Sequence, residues 1–451
     1  MIQVVIPLAD TVWMCTLARE EPFSATVESS LLGNVCHGCF KYSHEGVGLK
    51  RCSRCSTVFY CSVKCQRQDW SDHSVECKCM LNYAPRVPNG FVRLLARILF
   101  RVSKEETIVA FNSRCYDDLQ SNCEHLIKSE KHTEHFSSLY NLLQSYTHGI
   151  KIPSKAEVFS AYGKVVTNAF SITSESGRVL GTGLYLGISV HDHSCVPDAY
   201  VYFDGPTAIL RCLRADATYA TNLTISYVDL MGTTAERNKI FNDQFCFSCS
   251  CTRCINKVED SWKMSMNTSC CTGGFFLVDP SSDWESEPPL CFLCKKVVPW
   301  KSTEVLDHIA EAKEEINQAA RAQFNSTQEQ FEHWLAVHKN FSKMLSPYNT
   351  TLTTVIQNLL LAAESIGRED VLQEFTGAAL IAYRKYLPLG HPELTQRLKF
   401  AAKHQAGTSS SYELRDLLSE AYQSALLSHG EAHPSCKELA SYLQRCSSDS
   451  S

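Results

Sequence analysis

Apolar and polar residues follow three rhythms along this chain. Near the start, the apolar run Ile2–Ile6 reads as a strand, and a second β-type run lies around Thr11–Leu17. Val63–Cys77 reads as short helices. From Pro88 to Leu99 the spacing of Val92, Leu95, Ala96 and Leu99 predicts a helix. Glu105–Leu119 and His135–Tyr146 continue in helical rhythm, and so does 155–170, with Phe159, Tyr162, Val166 and Phe170 on one side. The rhythm then shortens. Gly181–Gly187, Tyr200–Phe203, Ala208–Leu213 and Leu223–Tyr227 read as short strands between Gly, Pro and Asp turns. Residues 256–300, with Gly273-Gly274, Pro288-Pro289 and several acids, read as loop. Beyond Lys301 the pattern is almost wholly helical to about Arg445.

That helical tail repeats itself weakly. Ala382-Tyr383-Arg384 leads to Gly390-His391-Pro392, and Ala421-Tyr422-Gln423 leads to Gly430, His433 and Pro434. A period of about forty residues resembles a tetratricopeptide-like array. Helical pairs of that kind bury their apolar faces by stacking and leave a concave surface.

The 451 residues suffice for about two to four domains. A net charge of −5 disfavours a nucleic-acid binder. Lys50, Arg51, Arg54, Lys64 and Arg67 form a local basic set, read as a solvated face or a protein-binding surface. The first eighteen residues lack a basic start and carry Asp10, against a secretory leader. No stretch is apolar enough to span a bilayer. The sequons at Asn222, Asn267, Asn325 and Asn349 are therefore read as chance matches. The 23 cysteines cluster at metal spacing, which fits a reducing compartment: nucleus and cytoplasm.

The densest chemistry runs Cys36-x2-Cys39, Cys52-x2-Cys55, Cys61-x3-Cys65, His73-x3-Cys77. Seven thiols and one imidazole supply two tetrahedral zinc sites. Pairing is expected to interleave: Cys36, Cys39, Cys61 and Cys65 on one ion, Cys52, Cys55, His73 and Cys77 on the other. Cys249-x-Cys251-x2-Cys254 offers three more thiolates, with Cys246 or Cys195 as the fourth. Cys270, Cys271, Cys291 and Cys294 could hold a further metal or remain free thiols, since adjacent cysteines sit awkwardly on one ion.

Three segments follow one another after residue 190: Asp192-His193-Ser194-Cys195-Val196-Pro197-Asp198, Leu223-Thr224-Ile225-Ser226-Tyr227 and Phe245-Cys246-Phe247-Ser248-Cys249. With the finger ahead and helices behind, the chain resembles the SET- and MYND-domain (SMYD) protein lysine methyltransferases over nearly its whole length. The resemblance implies an α+β fold: a β-rich SET domain split by a MYND double zinc finger, a cysteine-rich post-SET loop and an all-α tetratricopeptide-like C-terminal domain. The implied boundaries are 1–33 for the N-terminal part of the SET domain, 34–79 for the finger and 80–240 for the SET insert and core. The post-SET loop and linker take 241–300, and the helical domain 301–446. It implies that Cys195 joins Cys249, Cys251 and Cys254 on a third zinc.

The implied activity is methyl transfer from S-adenosylmethionine to a lysine amine of a histone tail or another protein. By resemblance Tyr227 is the catalytic tyrosine, and Asn122, Asn168, Ser189, Asp192, His193 and Phe247 contact the cofactor. Implied partners are a proline-rich peptide at the finger and a chaperone or other protein at the tail, with no membrane and no direct nucleic-acid contact. The sequence departs from the family at three places. A Gly-x-Gly-Leu segment that normally opens the SET domain is not found ahead of Met1-Ile2-Gln3-Val4, which implies a shortened reading or a pocket short of one wall. The two motif asparagines are Asp192 and Asp198, which accept but do not donate when ionised. The tyrosine before the post-SET cysteine is Phe245. The alternative expectation is a catalytically weak scaffold that recruits protein partners.

Overall fold

A computed structural model describes residues 16–43, 48–104, 108–174, 177–212, 222–282, 284–322, 324–405 and 411–448. The predicted strand Ile2–Ile6 lies outside the described residues, as does the run Thr11–Leu17 except for Thr16 and Leu17. The chain divides into two compact units.

The first unit takes in Met1–His193, Pro197–Ile225 and Ile240–Ser248. Its elements are β1 (Thr16–Glu20), β2 (Ser24–Val27), β3 (Lys50–Arg51), β4 (Phe59–Tyr60), α1 (Val63–Tyr83), α2 (Gly90–Val102), α3 (Cys123–Leu126), α4 (Glu130–Tyr146) and α5 (Lys155–Asn168). Then come β5 (Ala169–Thr173), β6 (Val179–Leu184), β7 (Asp192–His193), β8 (Ala199–Asp204), β9 (Thr207–Cys212) and β10 (Thr224–Ile225). Small sheets form the frame: antiparallel β1-β9-β8 and β2-β6-β5, the parallel pair β7-β10 and the hairpin β3-β4.

Helix starts follow local chemistry. Ser62 caps α1 by accepting from the Cys65 N–H, Asn89 caps α2 through Val92, and Ser154 with Glu157 forms a reciprocal box ahead of α5. Val63–Cys77 is one continuous helix running on to Tyr83, not several short ones. The predicted helix Glu105–Leu119 does not form over 108–119. Asp118 accepts from the Cys115 N–H, Ser113 takes a left-handed φ of 66°, and only a 3-10 turn at Tyr116–Asp118 remains. The helix at 155–170 stops at Asn168. Phe170 lies in β5, whose Ile172 is fully buried and whose backbone pairs with β6. The last predicted strand shortens to β10 because the Ser226 hydroxyl donates to the Val228 carbonyl and turns the chain.

The second unit takes in Ser194–Val196, Ser226–Lys239 and Cys249–Ser451. Most of α6 (Thr234–Ile240) falls in it, followed by α7 (Thr252–Ile255), α8 (Val258–Lys263) and the hairpin β11 (Met266–Asn267)–β12 (Phe275–Phe276). Residues 256–300 are thus not all loop. The tail runs α9 (Ser302–Arg321), α10 (Thr327–Phe341), α11 (Thr350–Ser365), α12 (Glu369–Tyr386), α13 (Pro392–Gln405), α14 (Ser411–Ser428) and α15 (Pro434–Ser448). From α10 onward each helix packs on the next. Pro392 and Pro434 occupy the first helical position, where a missing N–H costs nothing. Val305, Ile309, Trp334, Val355 and Leu359 anchor the apolar core of this unit, together with Met266, Phe276 and Cys291 from the preceding segment.

Candidate metal centres and cofactor site

The Cys36, Cys39, Cys61, Cys65 ligand atoms lie within 4.8 Å of one another, and so do those of Cys52, Cys55, His73 and Cys77. Sγ–Sγ separations are 3.7 Å for Cys39–Cys61, 3.5 Å for Cys61–Cys65 and 3.8 Å for Cys52–Cys77. A tetrahedron with zinc–sulfur bonds of about 2.3 Å has edges of about 3.8 Å, so these sets fit zinc and are too open for disulfides. Each Cys-x2-Cys turn closes alike. Phe40 donates to the Cys36 carbonyl at 2.9 Å with φ 56°, and Ser56 donates to the Cys52 carbonyl at 2.9 Å with φ 57°.

Behind the second set stands a buried charge network. The Nδ1 of His73 faces Glu76 Oε2 at 3.2 Å, both side chains fully buried. Arg93 Nε donates to Glu76 Oε1 at 2.9 Å, and Arg97 Nε donates to Oε2 at 2.8 Å. Arg97 also binds Asp69, and the two arginines reach the carbonyls of Val27 and Ala25 on β2. Burial alone would raise the pKa of Glu76; Arg93 and Arg97 outweigh it and hold the carboxyl well below the usual range. A carboxylate on Nδ1 fixes the tautomer that leaves Nε2 for the metal. These residues escaped the sequence reading, although arginines inside the apolar rhythm of α2 were a visible signal.

In the second unit, Cys195, Cys249, Cys251 and Cys254 form another set within 4.8 Å, with Cys195 and Cys254 3.5 Å apart. Cys246 is not in it. The buried Arg237 points Nη2 at Cys254 Sγ at 3.5 Å, where it would offset the excess charge of four thiolates on a bound dication. Asn238 accepts from the Cys249 N–H and fixes the loop.

The cofactor candidates Asn122, Asn168, Ser189, Asp192, His193 and Phe247 all belong to the first unit. Asn122 takes the left-handed region, and its Nδ2 reaches Thr167 Oγ1 at 3.3 Å and the Phe245 carbonyl at 3.4 Å. Gly163 permits this: a Cβ there would run into the Ser121 carbonyl oxygen, so only glycine lets α5 lie against the Asn122 segment. Asn168 is buried and spends its amide donors on the carbonyls of Gln120 at 2.7 Å and Lys164 at 2.8 Å, so what it could offer a ligand is the acceptor Oδ1. Ser189 sits in the 3-10 turn Ile188–Val190, held by Glu20, whose carboxylate accepts from Gly187 at 2.8 Å and Ile188 at 2.7 Å. Burial raises the Glu20 pKa, and those N–H donors oppose the rise.

His193, in β7, packs its ring on Phe241 at 4.3 Å and faces Phe247 at 6.0 Å; Phe241 and Phe247 stack at 5.0 Å. This aromatic wall suits a flat heterocycle. Asp192 is exposed. Asp198, by contrast, accepts from both the N–H and the hydroxyl of Thr224. Tyr227 is half-buried just past β10 and belongs to the second unit.

The MYND finger family model matches residues 36–77. The chain is 35% identical to histone-lysine N-methyltransferase SMYD3 of Homo sapiens over 258 residues, 54% of this chain and 57% of that protein. It is 24% identical to histone-lysine N-methyltransferase ASHR1 of Arabidopsis thaliana over 96% of this chain and 91% of the relative. Against histone-lysine N-methyltransferase SMYD1 of Homo sapiens it is 25% identical over 93% of this chain and 82% of the relative. The chain is similar to SMYD proteins. Its match to the human and mouse SMYD3 proteins spans little more than half their length, at 57% of each. It combines a MYND finger with two four-ligand sets, mixed helices and small sheets, and a helical C-terminal region.

Proposed function

We propose that this chain is a SET-type protein lysine N-methyltransferase acting on histone tails or other protein lysines, in nucleus and cytoplasm. The observation that carries it is the aromatic wall His193–Phe241–Phe247 in the same unit as the buried, pre-oriented amide of Asn168. Relatives named lysine methyltransferases support the reading. In finer detail, 1–33 and 80–240 are assigned to a SET domain interrupted by the finger, 241–300 to the post-SET loop, and 301–446 to a tetratricopeptide-like array. Zinc is assigned to the Cys36, Cys52 and Cys195 sets. The finger is offered to proline-rich peptides and the tail to a chaperone or other protein partner.

S-adenosylmethionine supplies an electrophilic methyl group on a sulfonium, which leaves as a neutral thioether. The protein's own work is positioning and proton management. Asn168 Oδ1 would receive the cofactor's ammonium, and Phe247 would cover the adenine face. Tyr227 would orient the neutral lysine amine for in-line attack. The amine loses its extra proton to solvent after the nitrogen–carbon bond forms. Asp192 stands where the family has an asparagine and presents a carboxylate rather than an amide donor.

The test is calorimetric binding of S-adenosylmethionine to the zinc-loaded full chain, followed by transfer of a labelled methyl group to histones. Micromolar binding weakened at least tenfold by His193→Ala, with transfer abolished by Tyr227→Phe, is expected. A folded chain with no binding would overturn the enzyme reading and leave the protein-recruiting scaffold.

A further inference from the structure

We propose that Cys270, Cys271, Cys291 and Cys294 form an additional closed zinc site, which staples the segment ahead of α9 onto the core of the helical unit. Their four sulfurs lie within 4.8 Å of one another. Cys270 and Cys294 are 3.3 Å apart, Cys271 and Cys291 3.7 Å. Those are edges of a thiolate tetrahedron, against about 2.05 Å for a disulfide bond.

The backbone argues the same way independently. Cys291-x2-Cys294 closes with the same turn as Cys36-x2-Cys39 in the finger. The Cys291 N–H donates to Lys296 O at 2.8 Å, as Cys36 N–H does to Lys41 O at 2.9 Å. The N–H after the second cysteine returns to the first, Lys295 to Cys291 at 3.0 Å and Phe40 to Cys36 at 2.9 Å. Lys295 and Phe40 share the left-handed conformation, at φ 61° and 56°. Even the bridges that flank the turns correspond, Leu290 with Val297 and Val35 with Tyr42. A non-glycine residue held in that conformation is unfavourable unless something demands it, and aiming two thiolates at one ion does.

Adjacent Cys270 and Cys271 reach the same point because they lie in the turn between β11 and β12. Gly273, at φ 69°, completes that turn, and Gly274 N–H donates to the Cys271 carbonyl at 3.0 Å. Each strand of the hairpin has only two residues, too few to hold it alone. The turn is joined to the knuckle by Phe292 N–H on Phe275 O at 2.7 Å and by stacking of the two rings at 5.1 Å. Cys291 is fully buried and packs into the core of the helical tail. Four thiolates with no open position suit a structural zinc ion.

The test is metal content of the full chain by mass spectrometry. About four zinc ions per chain are expected from the four ligand sets, and Cys291→Ser with Cys294→Ser should lower this by one. Since that variant could misfold, native wild-type protein is also alkylated and mapped. Cys270, Cys271, Cys291 and Cys294 should be protected in the zinc form and label after chelation, while half-exposed Cys115 labels in both. Three zinc ions with these four thiols labelling as fast as Cys115 would overturn the site. So would their recovery as disulfides, or iron in place of zinc.

Discussion

Asp198 Oδ2 accepts two hydrogen bonds from Thr224, at 3.0 Å from the N–H and 2.7 Å from the hydroxyl, and so ties the chain after Cys195 to β10. Both bonds need only an acceptor. We therefore expect Asp198→Asn to change stability by less than about 0.5 kcal/mol, while Asp198→Ala strands a donor pair and costs about 1–3 kcal/mol in urea unfolding. Glu20 is the opposite case. Its two oxygens each take a different N–H, from Gly187 and Ile188. Glu20→Gln leaves one N–H without its acceptor, and a destabilisation of about 1–3 kcal/mol is expected. The turn carrying Ser189 should loosen with it, read as faster amide exchange at Gly187 and Ile188. An unchanged exchange rate would show that Glu20 does not hold this turn.

Among the elements, α1 and α2 share the heaviest buried charge. Glu76→Ala would leave Arg93 and Arg97 buried without their partner, and breaking such a pair costs about 3–5 kcal/mol. The finger should lose its second metal more readily, measured by zinc release to a chromogenic chelator. At the start of α13, Glu393 carries a pKa raised to about 7 by burial and by the charge of Asp229, against Arg397 and the Tyr383 hydroxyl. The folded state thus holds a proton that the unfolded chain gives up near about 4.3. Its contribution is fully present below that value and is lost as pH rises through about 7. Glu393→Gln should flatten this part of the pH dependence and raise the thermal midpoint at pH 8 relative to wild type. The finger and the long tail helices were legible in the sequence, because ligand spacing and apolar rhythm are themselves the physical cause of those elements. Residues 108–119 were not, since Asp118 and Ser113 stabilise turns that an apolar rhythm does not report. Whether adjacent Cys270 and Cys271 could share one ion was left open, because neighbouring side chains converge only through the Gly273 turn. Glu76, Arg93 and Arg97 went unread, because it is the fold that buries them together.

At the scale of the molecule, no described helix is long and apolar enough to cross a membrane, and the net charge of −5 gives no general pull toward nucleic acid. With ions on the ligand sets, stability is expected to depend on metal. Stripping zinc with a strong chelator should lower the thermal midpoint by well over ten degrees and expose the ligand thiols, while adding zinc back restores both. An unchanged midpoint after complete metal loss would refute this dependence. The sets also differ in how far apart along the chain their ligands lie: 22 residues for Cys39–Cys61 and 25 for Cys52–Cys77, but 59 for Cys195–Cys254. Loop closure alone makes the longest only about 0.9 kcal/mol costlier than the shortest. What separates them is order in time, because β8, β9 and β10 all lie within the longer span. During refolding the finger can capture its ions from nearly contiguous chain, whereas Cys195 must wait for three strands to find their places. Pulsed alkylation should therefore catch Cys195 still reactive after Cys52 and Cys77 have fallen silent, and in that interval the chain would hold a closed finger while a third ligand set still stood open.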